Sequence, residues 1–347
     1  MKTLPRLLLL VLSALLTNAH FTNASISAGA ESIGEGWLRS EWFGDFLPMG
    51  NNWHYHSQWG WIYEMDGGTA SAWIYVDSES AWYWVGQTAQ PCVYSYAENG
   101  WRWFWDETSD PRLYYSYNSA EWLASDGSEG DIWRSYFLAI IDARVAEADE
   151  ISHNLSPVTY YNPDLVWNEA ADMVKCVSWM PATYISSYTV GEQMTLNWET
   201  WITLCPQVQD FAQAHTLEEE QMLLRVKQLL GLRPDKQYAY WVEFWVRPQD
   251  LYRPSADPSP TDCEAELDFP SSAEVTVSES YKSWFENNAN NSYQLTRYGF
   301  PWTRLGYTYN WGNRDSEVGL SEFVIRPGST VSVASIYTNS DYLTPIE

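Results

Sequence analysis

Between residues 53 and 123, apolar and polar positions alternate in short runs, and the pattern recurs. The runs are WHYHSQWGWIY from Trp53, WIYVDSESAWYW from Trp73, VYSYAENGWRWFW from Val93 and LYYSYNSAEWL from Leu113. Each opens on an apolar residue and a tyrosine, crosses a short polar stretch and resumes at a tryptophan. Alternation with period two, rich in aromatic and β-branched residues, is the mark of a strand. The polar centres, such as Ala97-Glu98-Asn99-Gly100, are turn formers. Each run therefore predicts a β-hairpin. The starts at 53, 73, 93 and 113 give a period of 20 residues, and the anchoring tryptophans Trp61, Trp82, Trp101 and Trp122 follow it closely. A fixed period of this size marks a repeat array. One hairpin is marginal in water, so stacked units are expected to share their aromatic faces.

Beyond the repeats the pattern changes. SDGSEGD at 125–131 reads as a small solvated linker. Trp133, Phe137, Ile140, Ile141 and Val145 recur at helical spacing and predict a helix over 131–151. From about 170 the pattern is mixed. VSWMPA, QMTLNWETWITL, YAYWVEFWV, GYTYNW, SEFVI and TVSVASIY read as strands, and Met194, Leu196 and Trp198 would share one face. CPQVQDFAQAH, TLEEEQMLLRVKQLLG and SESYKSWFENNAN read as helices. Thr216 and Glu219 suit a capping box for the second of these, with Leu223, Val226, Leu229 and Leu230 as its buried stripe. The ordering predicts an α+β fold: a stacked β-hairpin array over 37–124, a linker and helix over 125–152, and an α+β domain with a mostly antiparallel sheet over 160–347.

The chain has 347 residues with 22 Trp and 24 Tyr, and 19 basic against 45 acidic residues leave a net charge of −26. Such a surface repels nucleic acid and anionic lipid and keeps an aromatic-rich protein in solution. The start, MKTLPRLLLLVLSALLTNAHFTNAS, joins a basic end to an apolar run too short to span a bilayer and then to small residues. It reads as a secretory signal peptide over 1–24, cleaved after Ala19 or Ala24. No integral membrane segment is expected after cleavage, and the mature protein is expected to be secreted or held in the cell envelope, in the periplasm or at the cell surface. Cys92, Cys176, Cys205 and Cys263 allow three full pairings. One pair among the last three is expected, with Cys92 buried and free.

Residues 37–124 resemble an aromatic repeat module found near the ends of exported bacterial envelope proteins. The resemblance is carried by EWFGDF at 41–46, WHYHSQWGWIYEM at 53–65, AWIYVDSESAWYWV at 72–85, PCVYSYAENGWRWFW at 91–105 and PRLYYSYNSAEWL at 111–123. More distantly the repeats are similar to the 20-residue choline-binding and glucan-binding repeats of cell-wall proteins. That resemblance implies stacked hairpins whose rings enclose a ligand, with Trp61, Tyr63, Trp82, Trp84, Trp101 and Trp103 as the ligand-binding residues. The glycine-rich turns of the choline-binding pattern are mostly missing; only Gly60 and Gly100 directly precede a repeat tryptophan. Attachment is thus better supported than choline binding itself. Rings of this kind either pack against one another or hold a cation or a sugar face.

Motifs for catalysis are scarce. There is no phosphate-binding loop, dinucleotide fingerprint or nucleophile elbow, and no cofactor is expected. His54 and His56 share a strand face without a third ligand, so they are expected to be exposed histidines, and no metal is expected. DCEAELD at 262–268 places Asp262, Glu264, Glu266 and Asp268 at alternate positions, as a solvated acidic loop does. Glu199 and Glu243 each lie among aromatics on a strand. They could act as a catalytic carboxylate pair if they faced one cleft, whereas strand alternation would place each in solvent. The reading reached is an exported, non-enzymatic protein that binds a glycan or another envelope polymer through its aromatic repeats. The alternatives are a polysaccharide-acting enzyme using Glu199 and Glu243, and a platform for a protein partner.

Overall fold

The structure is a computed structural model that describes residues 26–65, 68–271 and 276–344. The expected signal peptide lies outside the described residues. The chain divides after Gly130 into two units, each with its own antiparallel sheet.

The first unit is a meander of eleven strands paired in chain order. Strands β1 (Glu31–Gly34), β2 (Trp37–Ser40) and β3 (Gly44–Gly50) precede the repeats. The four repeats then form the hairpins β4–β5 (Trp53–His56, Gly60–Met65), β6–β7 (Ser71–Val76, Ala81–Gly86), β8–β9 (Cys92–Ser95, Gly100–Trp105) and β10–β11 (Leu113–Ser116, Glu121–Ala124). Every turn ends on a residue with positive φ: Gly60, Ser80, Asn99 and Ala120. That conformation is natural for glycine and tolerated by asparagine.

Period-two alternation divides this sheet cleanly. The inner face buries Phe46, Ile62, Ile74, Val76, Tyr83 and Tyr114, among others. The turn at 57–59 folds back over that face, where Trp59 packs on Phe104 at 4.8 Å and on Tyr114 at 6.3 Å between ring centroids. The polar centre of WIYVDSESAWYW is a 3-10 turn over Asp77–Glu79, and it is not all solvated. Glu79 accepts hydrogen bonds from Tyr83 (2.7 Å), Tyr114 (2.8 Å) and Arg112 Nε (2.7 Å), while Arg112 also donates to Ser78 Oγ at 2.8 Å. Arg112 is buried. A buried charge pair tethers this turn to the strand β10 on which Tyr114 sits.

His54 and His56 also lie on the inner face and are buried, contrary to the expectation of exposed histidines. The sheet curls over its own inner face, so the side of these strands that carries the two histidines is closed to water, while Tyr55 on the other side stays exposed. His54 Nε2 lies 3.1 Å from Glu64 Oε2. His56 Nδ1 accepts the backbone N–H groups of Gln58 and Trp59, so Nε2 carries the proton and donates to Phe43 O at 2.6 Å. The two rings serve different partners and do not converge on a metal.

The second unit is built on a sheet in the order β13-β19-β15-β12-β14-β18-β16, with β17 also paired to β18. The strands are β12 (Val174–Met180), β13 (Gln193–Leu196), β14 (Thr200–Leu204), β15 (Tyr240–Val246), β16 (Leu251–Tyr252), β17 (Tyr307–Tyr309), β18 (Val318–Ile325) and β19 (Ser329–Thr338). The helices are α1 (Gly130–Ala143), α2 (Gln207–Gln213), α3 (Glu219–Leu229), α4 (Glu279–Ser292) and α5 (Asn339–Leu343). One sheet face buries Cys176, Ile202, Phe244, Phe323 and Val333 beneath the loops that carry Val158 and Tyr188. The other packs Val177, Trp179 and Trp241 against α2, α3 and α5. Two covered faces explain why β15 reads as an almost unbroken apolar run. The α+β class expected from the sequence is what the chain adopts.

Several local expectations shift. QMTLNWETWITL is two strands rather than one, and Trp198 falls in the break between them, exposed. Helix α1 stops at Ala143, leaving Val145 exposed. Helix α3 has Glu218, not Thr216, at its N-cap, and no side chain caps it. All four cysteines are free thiols, and Cys92 is half-buried. Cys176 and Cys205 point to opposite sheet faces and cannot bridge, because a disulfide needs converging Cβ atoms.

Candidate functional site

Two places carry functional potential, one in each unit. The outer face of the hairpin sheet repeats one arrangement four times. Tyr55 pairs across the hairpin with Trp61, Tyr75 with Trp82, Tyr94 with Trp101 and Tyr115 with Trp122. Their ring centroids lie 5.6, 5.4, 5.5 and 5.7 Å apart, within the range of favourable aromatic pairs. Register then offsets each pair by two residues from the last. Tyr75 lies opposite Tyr63 rather than Trp61, Tyr94 opposite Trp84, and Tyr115 opposite Trp103. Those intermediate rings bridge successive pairs: Tyr63 meets Trp82 at 6.3 Å, Trp84 meets Trp101 at 5.8 Å and Trp103 meets Trp122 at 5.7 Å. Two strand spacings and a two-residue offset place successive pairs about 12 Å apart on a diagonal.

All six residues expected to bind a ligand, Trp61, Tyr63, Trp82, Trp84, Trp101 and Trp103, lie on this diagonal. Trp61 is 43% and Trp101 41% exposed; the other four are half-buried by their neighbours. Each ring therefore packs and also presents surface. The first unit holds three arginines over 26–130 and no lysine, against fifteen acidic residues. Each arginine is committed to a carboxylate: Arg39 to Asp45, Arg102 to Glu98 and Arg112 to Glu79. No lysine or uncommitted arginine among the described residues of this unit could clamp a phosphate or a carboxylate.

The second unit holds a cleft of about 810 Å³. Its floor is the sheet face around β14 and β18, and Trp201, Phe300, Trp302 and Tyr309 are among its walls. Glu199 lines the cleft and is exposed. Glu243 does not line it. That side chain is buried on the helix-covered face, 3.2 Å from Lys175 Nζ, and Cys205 Sγ donates to it at 3.7 Å. Alternation does not bring Glu243 to solvent because this side of the sheet is covered. Strand β12 separates β14 from β15, and the register puts the backbones of Glu199 and Glu243 roughly 16 Å apart. A carboxylate pair for glycoside hydrolysis needs about 5–10 Å between carboxyl groups.

The cleft contains an acid that the sequence reading did not single out. Glu322, in the middle of β18, pairs with Thr203 and lines the cleft floor. It is half-buried, and the surface it keeps opens into the cleft. Burial alone pushes its carboxyl up to about 8. Its neighbours Ser321 and Phe323 point to the opposite, packed face. In SEFVI the residue looks like an ordinary solvent-facing position of an alternating strand, so no sequence signal marks it.

Asp257, Asp262 and Glu266 bring three carboxylate oxygens within 4.8 Å of one another, gathering two acids of the 262–268 run with one from outside it. The fully buried Arg253 sits among them and donates to Asp262 O at 2.9 Å, so a guanidinium already answers part of this charge. Among the described residues, no helix is long and apolar enough to cross a membrane. Comparison with protein-family models, curated proteins and solved structures finds no match.

Proposed function

We propose that this is an exported attachment or recognition protein, of the aromatic-repeat kind its sequence resembles, in which the hairpin sheet binds a neutral glycan or another neutral envelope polymer. The observation that carries this reading is the fourfold recurrence of the Tyr–Trp pair on one open face, linked by bridging rings. A packing role alone would favour burial of such large rings, yet Trp61 and Trp101 keep over two-fifths of their surface in water. A diagonal of rings at about 12 Å intervals suits an extended polymer with a repeat of comparable length, each unit laying its C–H face on a ring. The acidic surround and the committed arginines disfavour polyanions.

The test uses the full mature chain and a panel of purified neutral and anionic envelope polymers, with binding followed by tryptophan fluorescence and calorimetry. Trp101→Ala and Trp61→Ala are expected to weaken binding of a neutral polymer roughly tenfold each, about 1.4 kcal/mol. Each lost cross-strand ring pair should cost stability only about 0.2–1 kcal/mol. Unchanged affinity in both variants, with the wild type binding, would exclude the outer face as the site. Failure of every polymer to bind the folded wild type would leave these rings as packing or as a surface for a protein partner.

A further inference from the structure

The cleft of the second unit has chemistry of its own, independent of the outer face of the hairpins. Its volume of about 810 Å³ lies within the range of small-ligand clefts, roughly 300–1,000 Å³. Its walls supply flat aromatic surface from Trp201 and Trp302, whose centroids are 6.3 Å apart at a near-perpendicular angle, and from Phe300. Its polar groups are unusual in lacking partners. Trp241 and Trp302 line the cleft and are buried, and neither indole N–H has a hydrogen-bond partner. Glu322 on the floor has no ion pair or hydrogen bond through its side chain, although its backbone N–H is held by Gly306 O at 3.0 Å.

Buried polar groups are normally satisfied, so a cluster of orphans in one cleft calls for a ligand. The two indoles can only donate, and an uncharged Glu322 adds a third donor. Charged groups near the cleft do not supply the missing acceptors. Arg233 and Arg297 both hold Asp235, at 2.9 and 3.5 Å. Lys236 Nζ lies over the Tyr238 ring, 5.2 Å from its centroid. Glu199 stands exposed before β14, and no charged group contributes to the shift at Glu322. Tyr136 and Tyr309 direct their hydroxyls elsewhere, to Gly299 O and to Asp142 Oδ2. Burial raises both phenols, as it raises Tyr188 and Tyr238, so none of them titrates below Glu322. Tyr184 and Tyr298 stand exposed at the cleft's edge.

We propose that this cleft binds a short glycan bearing acetamido groups, with its sugar faces on the tryptophans and Glu322 donating a hydrogen bond to a carbonyl oxygen. An acetamido group brings the acceptor that the donors lack, and it does so without adding negative charge to an acidic protein.

The probe is the trimer of N-acetylglucosamine, with the glucose trimer and tetramethylammonium as comparisons, titrated into the full mature chain by calorimetry from pH 5 to 9.5. The acetamido trimer is expected to bind with constant affinity up to about pH 7, then to weaken roughly tenfold per pH unit above about 8 as Glu322 loses its proton. Glu322→Gln keeps a donor and should bind without the alkaline loss. Glu322→Ala should bind at least tenfold more weakly at pH 6, while its circular dichroism matches the wild type. Trp101→Ala, on the other unit, should leave this binding unchanged. The proposal is overturned if the acetamido trimer does not bind, if the glucose trimer binds equally well, or if Glu322→Ala has wild-type affinity. It is also overturned if tetramethylammonium binds instead and tightens above pH 8. Loss of binding in Trp101→Ala would move the sugar to the hairpin face, overturning the cleft while supporting the outer-face reading.

Discussion

His56 shows how one side chain can tie a fold to pH. Its Nδ1 accepts two backbone N–H groups and its Nε2–H is spent on Phe43 O, so the neutral ring satisfies three partners and a second ring proton would break two of those bonds. Burial accordingly lowers its pKa to about 4. The unfolded chain takes up this proton near pH 6.5, and the folded unit refuses it until about pH 4. The stability this residue contributes is therefore complete above pH 6.5 and declines as pH falls towards 4, by at most about 1.4 kcal/mol per pH unit. Urea melts at pH 7, 5.5 and 4.5 should show a shallower acid loss in His56→Gln than in the wild type. Parallel profiles for the two proteins would mean that the ring is accessible to protons in the folded state.

At the scale of the element, the hairpin β6–β7 depends on its turn as much as on its strands. Arg112→Ala removes the one cation that pairs with Glu79 among the described residues and leaves that carboxylate buried against the phenols of Tyr83 and Tyr114. The expected loss is about 3–5 kcal/mol, the range for breaking a buried pair. Adding Glu79→Gln to it should recover part of that loss, because the residues share one network. A double-mutant cycle from denaturant melts measures the difference, and strict additivity would sink the idea of a coupled tether. Such a network is nearly invisible in sequence, because Asp77-Ser78-Glu79-Ser80 has the composition of any solvated turn. The hairpins themselves were legible, since period-two alternation and a 20-residue recurrence are properties of the chain alone. So was their register in part: tyrosine before each turn and tryptophan after it are the residues that pair. Strand β1 lies ahead of the array expected over 37–124, whereas β2 and β3 fall within that range without belonging to one of the four recurring runs. The burial of His54, His56 and Glu243 and the exposure of Glu322 in a cleft all depend on what covers a sheet face. Alternation tells which residues share a face and nothing about what covers it.

At the scale of the whole molecule the dominant fact is the charge of −26. Like charges repel in the compact state, and salt screens them over a length of about 10 Å at 0.1 M. The same charge bears on binding in a different way. A neutral polymer on the aromatic face gains from ring contact and loses no counterions, so its affinity should not depend on ionic strength. Raising monovalent salt from 10 to 150 mM should then lift the thermal midpoint by roughly a few degrees while leaving the neutral-polymer affinity within about twofold. A polymer held by charge would respond strongly: a cationic one would weaken with salt, and an anionic one would bind only as salt rose. The two readings of the rings, contact surface or counterion for a cation, thus separate in one titration series. The first unit is the more demanding test case, because over its described residues from 26 to 130 the three arginines are all paired and the acidic surplus has no compensating lysine. If salt changes affinity tenfold while the midpoint shifts as expected, the polymer is recognised through its charge and the stacking account of the Tyr–Trp diagonal fails.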